Sequence, residues 1–176
     1  MPIATTNLRL LTTDDAEAFW HLRLEALRND SASFADSAEE HQNTSVEMVR
    51  ERLGAGGPAT SFVVGMFQEG RLAATAGFYR SHHNKERHKG NVWGVYVRPQ
   101  SRGKGVARAL MQEIIRRARE IAGVEQVLLV ASAHLPARKL YESLGFEAYG
   151  LEPRSLKIKT ETGTEYVDDV LMILRF

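Results

Sequence analysis

The chain contains no cysteine. That excludes disulfides, thiolate metal sites and an acyl-enzyme carried on a Cys sulfur, and it agrees with a reducing compartment. No apolar run approaches the ~20 residues that a bilayer-spanning helix needs. Residues Met1 to Leu11 lack a long apolar core behind basic residues, so no signal peptide is expected. An excess of charge is missing too: the formal net charge is +1, which gives no reason to expect a nucleic-acid or membrane partner. There is no Gly-x-Ser-x-Gly elbow of the kind a serine hydrolase uses. Repeats, linkers and low-complexity tracts are also lacking.

What remains is ordinary globular material: 176 residues, 43% hydrophobic and 26% charged. The length suits one domain over residues 1–176 with a sizeable core, expected to be cytoplasmic. In order, Leu8 to Leu11 reads as a short strand. Thr13 and Asp14 are placed to cap a helix whose apolar stripe is Ala16, Phe19, Trp20, Leu24 and Leu27. Ser31 to Asn43 is polar, punctuated by Phe34. Thr44-x-x-Glu47 reads as a capping box opening a helix through Leu53. Strand patterns cover Ser61 to Phe67 and Leu72 to Tyr79, then a hydrophilic loop runs from Arg80 to Gly90. Val127 to Val130 reads as a buried strand. Pro136 opens a helix that runs to Leu144 and stops at Gly145. A strand near Glu147 to Leu151, a polar excursion through Thr160 to Thr164, and a strand from Val167 to Leu174 close the chain.

The most informative stretch is Val95 to Ala107. The β-branched and aromatic run from Val92 to Val97 reads as a strand, ended by Pro99. From Ala107 apolar residues recur at helical spacing (Leu110, Met111, Ile114, Ile115, Ala118, Ala122), and Gly123 stops the helix. Between them lies a tight basic turn with Arg102, Gly103, Lys104 and Gly105. First-turn N–H groups of a helix have no internal partners, and the macrodipole adds positive charge there. Strand, glycine turn and helix together predict a diphosphate site. A Walker A loop is excluded because Gly105, not Ser or Thr, follows Lys104. A dinucleotide fingerprint fails because its third glycine slot holds Arg108, and Glu125 precedes the next strand instead of ending it.

The pattern that does match is Gln100-x-x-Gly103-x-Gly105, and it resembles the acetyl-CoA pyrophosphate loop of the GNAT superfamily of N-acetyltransferases. A second motif follows in the family's order. Ala137-Arg138-Lys139-Leu140-Tyr141-Glu142-Ser143-Leu144-Gly145-Phe146 is similar to the family's A-x-x-L-Y-x-x-x-G-F segment. The resemblance implies an α/β GNAT-like fold: a mixed, mostly antiparallel sheet of about seven strands flanked by helices. It implies acetyl-CoA as co-substrate and acetyl transfer to an amine. Main-chain N–H groups of Arg102, Gly103, Lys104, Gly105, Val106 and Ala107 would wrap the pyrophosphate. Pantetheine would lie along the central strand, bonding backbone at Val95 and Val97, with the Val95 N–H polarising the thioester carbonyl. Tyr141 stands at the family's general-acid position. His134 replaces a frequent Asn; contact with pantetheine and capping of the helix both stay open for it.

Some members of the family use a carboxylate on the central strand as base; alignment on the Gln100 loop puts Asn91 near that slot, and an amide accepts no proton at neutral pH. Glu40, Glu86 and His88 are candidates by residue type only. Deprotonating a lysine-like amine at pH 7 costs about 4.6 kcal/mol, against about 1 for an α-amine. A chain without a strong base therefore favours an α-amine on a small molecule or peptide. A different class stays open: a non-catalytic acyl-CoA-binding or regulatory domain of the same fold. His82, His83 and His88 share one loop but lack metal-site spacing, so no metal is expected. Asp168 and Asp169 either help bind a cationic substrate or flank an edge strand. Homodimers are common in the superfamily, but no residue demonstrates one.

Overall fold

The computed structural model describes residues 8–57, 59–133 and 136–176. Its elements are β1 (Leu8–Leu10), α1 (Ala16–Asn29), α2 (Ala38–Gln42), α3 (Val46–Ala55), β2 (Ser61–Gln68), β3 (Arg71–Arg80) and β4 (Lys89–Val97). There follow α4 (Val106–Glu120), β5 (Gln126–Ser132), α5 (Ala137–Ser143), β6 (Glu147–Thr160) and β7 (Gly163–Arg175). The strands form one seven-stranded sheet in the order β1-β2-β3-β4-β5-β7-β6. Only β4 and β5 run parallel; the other neighbours are antiparallel. This is the α/β mixed sheet that the resemblance implies.

Side-chain alternation sorts the core onto two faces. On β2, Phe62, Val64 and Met66 join Leu110, Met111 and Ile114 of α4, whereas Val63 joins Phe19, Leu22 and Ala26 of α1. Helices therefore cover both faces here, and β2 reads as a near-continuous apolar run. On β4 the alternation slips. Val92 and Val97 belong to the α4 side, Trp93 and Tyr96 to the α1 side, so two positions on the same face stand an odd number of positions apart. The register shows why: Gly77 pairs with Trp93 and Thr75 with Tyr96, leaving one extra residue on β4. Gly94 absorbs this bulge at φ +62°, a conformation costly for any residue with a Cβ.

Several local expectations move. The first helix is entered through Thr12 to Asp15, not Thr13 and Asp14: the Asp15 carboxylate accepts the Thr12 N–H at 2.8 Å while paired with Arg9 at 2.7 Å. The capping box lies at Ser37 and Glu40, where Ser37 Oγ accepts the Glu40 N–H (3.1 Å) and Glu40 accepts the Ser37 N–H (2.7 Å). Thr44 caps nothing; Ser45 caps α3 through the Met48 N–H at 3.2 Å. Helix α4 ends at Glu120, because Ile121 leaves helical geometry and packs into the core. The supposed excursion at Thr160 to Thr164 is the tip of one long β6–β7 hairpin. Within it Arg154 takes φ +54° beside a register shift between Glu152 and Leu156.

Candidate active site

Where β4 and β5 part, the sheet opens. Their pairing covers only Lys89 to Asn91 against Gln126 to Leu128. Past Asn91, β5 pairs with β7 alone, so the β5-facing edge of β4 from Val92 to Val97 has no strand partner among the described residues. The peptide groups there can be oriented. Thr75 Oγ1 donates to the Gly94 carbonyl at 3.4 Å, so that carbonyl faces β3. In a trans peptide the next N–H points the opposite way, which turns the Val95 N–H toward the open edge. Likewise the Arg98 N–H donates to Ala73 on β3 at 3.0 Å, and antiparallel alternation turns Val97 outward. The Val97 carbonyl accepts from Arg102 Nε at 2.9 Å.

The basic turn follows at once. After a single 3-10 turn over Pro99–Ser101, Gly103 (φ +73°) and Gly105 (φ +78°) lead into α4, with Gly105 at the N-cap. An added Cβ at either glycine would meet nothing within 4 Å, so backbone conformation, not crowding, demands glycine. The Arg102 N–H is already bonded to the Pro99 carbonyl at 3.2 Å, which takes it out of the set of open donors. No acceptor among the described residues meets the N–H groups of Gly103, Lys104, Gly105, Val106 or Ala107. The formal charges turn elsewhere: Arg102 pairs with Asp30 at 2.7 Å, and Lys104 Nζ donates to the Gln100 carbonyl at 2.9 Å. What the turn presents is peptide nitrogen at the positive end of a 15-residue helix, a fit for a diphosphate.

A cavity of about 550 Å³ joins the two features and reaches Tyr141. Val95, Val97, Arg102, Gly103, Gly105, Val106 and Ala107 share its wall; Lys104 does not. His134 lies outside the described residues. Tyr141 sits on α5, 6% exposed, with its ring edge-on to Phe146 at 6.2 Å. Its hydroxyl meets no hydrogen-bond partner among the described residues, and burial pushes its pKa up to about 12.

A sequence-family model described as "Acetyltransferase (GNAT) family" matches residues 17–146. The chain belongs to the GNAT acetyltransferase family. Membership makes acetyl-CoA its acyl donor. Among solved structures it is similar to a GNAT acetyltransferase from Streptococcus pneumoniae (17% identity, 96% of this chain and 98% of that one, TM-score 0.83). It is also similar to a putative acetyltransferase from Salmonella typhimurium solved with acetyl-CoA (21% identity, 96% and 92%, TM-score 0.79). A third likeness is to a phosphinothricin acetyltransferase from Sinorhizobium meliloti, solved with acetyl-CoA (21%, 96% and 87%, TM-score 0.77). These likenesses carry the fold alone.

In this GNAT domain the candidate bases do not gather at the site. Glu40 is held in its capping box, Glu86 pairs with Lys89 at 3.2 Å, and neither lines the cavity; nor does His88. Asn91 Nδ2 donates to Ser81 Oγ at 3.2 Å. Asp168 accepts the Arg154 N–H at 2.7 Å and Asp169 accepts from Ser155 Oγ at 2.6 Å, so both pin the bent hairpin. The His82 and His83 rings lie tilted to each other with centroids 4.0 Å apart, and the described residues hold no metal-ligand cluster. The sequence reading missed one wall of the cavity, from Asn29 to Ser33. Only their polarity signalled them, and polarity marks any loop.

Proposed function

We propose that this chain moves the acetyl group of acetyl-CoA directly to an α-amine, with Tyr141 as the acid that protonates the departing sulfur. One observation carries the reading: a single cavity brings together open peptide N–H groups, the outward Val95 N–H and a buried phenol whose hydroxyl has no partner among the described residues. The N–H groups of Gly103 to Ala107 hold the diphosphate, and the Val95 N–H stabilises charge on the thioester oxygen. The amine nitrogen bonds to the carbonyl carbon, the carbon–sulfur bond breaks, and the Tyr141 hydroxyl hands its proton to sulfur. The acylated nitrogen then sheds a proton to the phenoxide or to water. No covalent enzyme intermediate is involved, in keeping with the absence of cysteine.

A phenol held near pKa 12 stays protonated across the neutral range, as a donor must. The amine must arrive neutral without a strong base beside it, and an α-amine does so for about 1 kcal/mol at pH 7. The engagement of Glu40, Glu86 and Asn91 elsewhere supports the rival reading, a non-catalytic acyl-CoA-binding domain. Calorimetry with acetyl-CoA and thiol detection of released CoA over a panel of amines separate the two. Tight binding with CoA release to an α-amine supports the enzyme. Tight binding with no release to any amine leaves only the binding domain.

A further inference from the structure

A second cavity, of about 410 Å³, meets the β4 bulge at Gly94, and a third of about 590 Å³ adjoins it, sharing Arg23, Asp36, Tyr79 and Trp93. Arg23 projects from α1 into this region with its side chain 11% exposed. Its guanidinium stacks on Phe34 at 4.5 Å, and Nη2 donates to Asp36 at 2.9 Å. The other terminal nitrogen is different. Nη1 is buried and meets no acceptor among the described residues. It lies against the bulge, 3.7 Å from where a Cβ on Gly94 would stand. A buried charged donor left unpaired is costly, and an anion beside it removes that cost.

The charges in the two cavities point the same way. Their described walls hold Arg23 and Arg52 against one carboxylate, Asp36, which already serves Arg23. His41, in the larger cavity, has its pKa lowered by burial and adds no charge at neutral pH. A polyamine or lysine-rich peptide would find no uncommitted carboxylate there. The smaller cavity's walls are aromatic: Phe34, Tyr79, Trp93 and Tyr149.

We propose that the acceptor is a free α-amino acid whose carboxylate is bound by Arg23 Nη1 at the β4 bulge, with its side chain against the aromatic walls. Resting on the acetyltransferase reading above, this names the acceptor class. Geometry favours the α-amine over any other. Consecutive Cα atoms are about 3.8 Å apart, so a carboxylate at Gly94 puts a nitrogen on the neighbouring carbon within reach of Val95. A peptide N-terminus has no carboxylate at that spacing.

The test uses the full chain, acetyl-CoA and each proteinogenic L-amino acid, read by CoA release and by calorimetry. The best acceptor is then compared with its carboxamide, its decarboxylated amine and spermidine. Loss of the carboxylate is expected to lower kcat/KM by about 10- to 100-fold, the scale of a hydrogen bond to a charged group. Arg23→Gln should raise KM for the acid by a similar factor, leave its carboxamide unchanged and leave acetyl-CoA affinity intact. Arg23→Lys should fall between. Equal use of acid and carboxamide by the wild type, a preference for spermidine, or an Arg23→Gln loss shared equally by acid and carboxamide overturns the assignment. So does failure of every amino acid to bind. Carboxylate- and Arg23-dependent binding without CoA release keeps the acceptor site and overturns the catalytic reading instead.

Discussion

Two tyrosines line one cavity, and their surroundings treat the two phenols differently. On the β4 wall, Tyr96 accepts from Asn29 at 3.1 Å and donates to Glu25 at 3.1 Å. On the α5 wall, Tyr141 has a T-shaped neighbour in Phe146 and no described polar partner. Burial raises both pKa values, but at Tyr96 the Asn29 bond works against it, while at Tyr141 burial acts alone. A saturated hydroxyl fixes structure; one with a spare hydrogen bond is available to a reactant. Burial alone does not separate scaffold from chemistry here.

Replacement of the two rings' hydroxyls is the sharpest way to break the contrast. Tyr141→Phe is expected to lower kcat by about 10²- to 10⁴-fold, the usual worth of a positioned acid, with acetyl-CoA affinity unchanged in calorimetry. Comparable kcat in the two proteins would return Tyr141 to plain packing. In alkali, stability is intact below pH ~10, where the tyrosine of the unfolded chain is still protonated. It falls as pH rises through about 12, because the folded state holds the Tyr141 proton longer. The loss is on the order of 3 kcal/mol and should vanish from denaturant melts of Tyr141→Phe taken between pH ~10 and 12. Tyr96→Phe should instead cost about 0.5–1.5 kcal/mol of stability at neutral pH, since water reaches both Asn29 and Glu25 once the hydroxyl is gone, while kcat moves less than about threefold. The smallest effect belongs to Glu40→Gln. As a cap it should cost at most about 1 kcal/mol and leave the pH–rate profile in place; a lost acidic limb would make it a base after all.

The parts of the site legible in the sequence are those written at short range. Gly103 and Gly105 at φ +73° and +78° need glycine whatever surrounds them, and the helix after them announces itself by its period. Tyr141 was legible through the resemblance of Ala137 to Phe146 to the family's A-x-x-L-Y-x-x-x-G-F segment. What escaped depends on residues far apart in the chain. Arg23 is one polar position on an amphipathic helix until Gly94 and Phe34 are folded against it. Thr44 and Glu47 have the spacing of a capping box, yet the chain caps one residue later because Trp20 Nε1 takes the Thr44 carbonyl at 2.6 Å. The β6 strand beyond Leu151 was hidden by charged residues, and it is held by cross-strand pairs with β7 that no local window contains. The mixed, mostly antiparallel sheet was legible only through resemblance, and its strand order not at all, for the same reason.

The extra residue in β4 makes the site a matter of counting. Upstream of Gly94 the strand keeps one beat, downstream the opposite one, and both Trp93 and Tyr96 thereby look toward α1. Flatten the bulge while keeping every residue, and the upstream beat runs on through the strand. Tyr96 would then swing across the sheet, leaving Glu25 and Asn29 behind, and the outward nitrogen at Val95 would be stitched back into β3. A site assembled this way tolerates many exchanges of side chain but not the straightening of the kink at its centre.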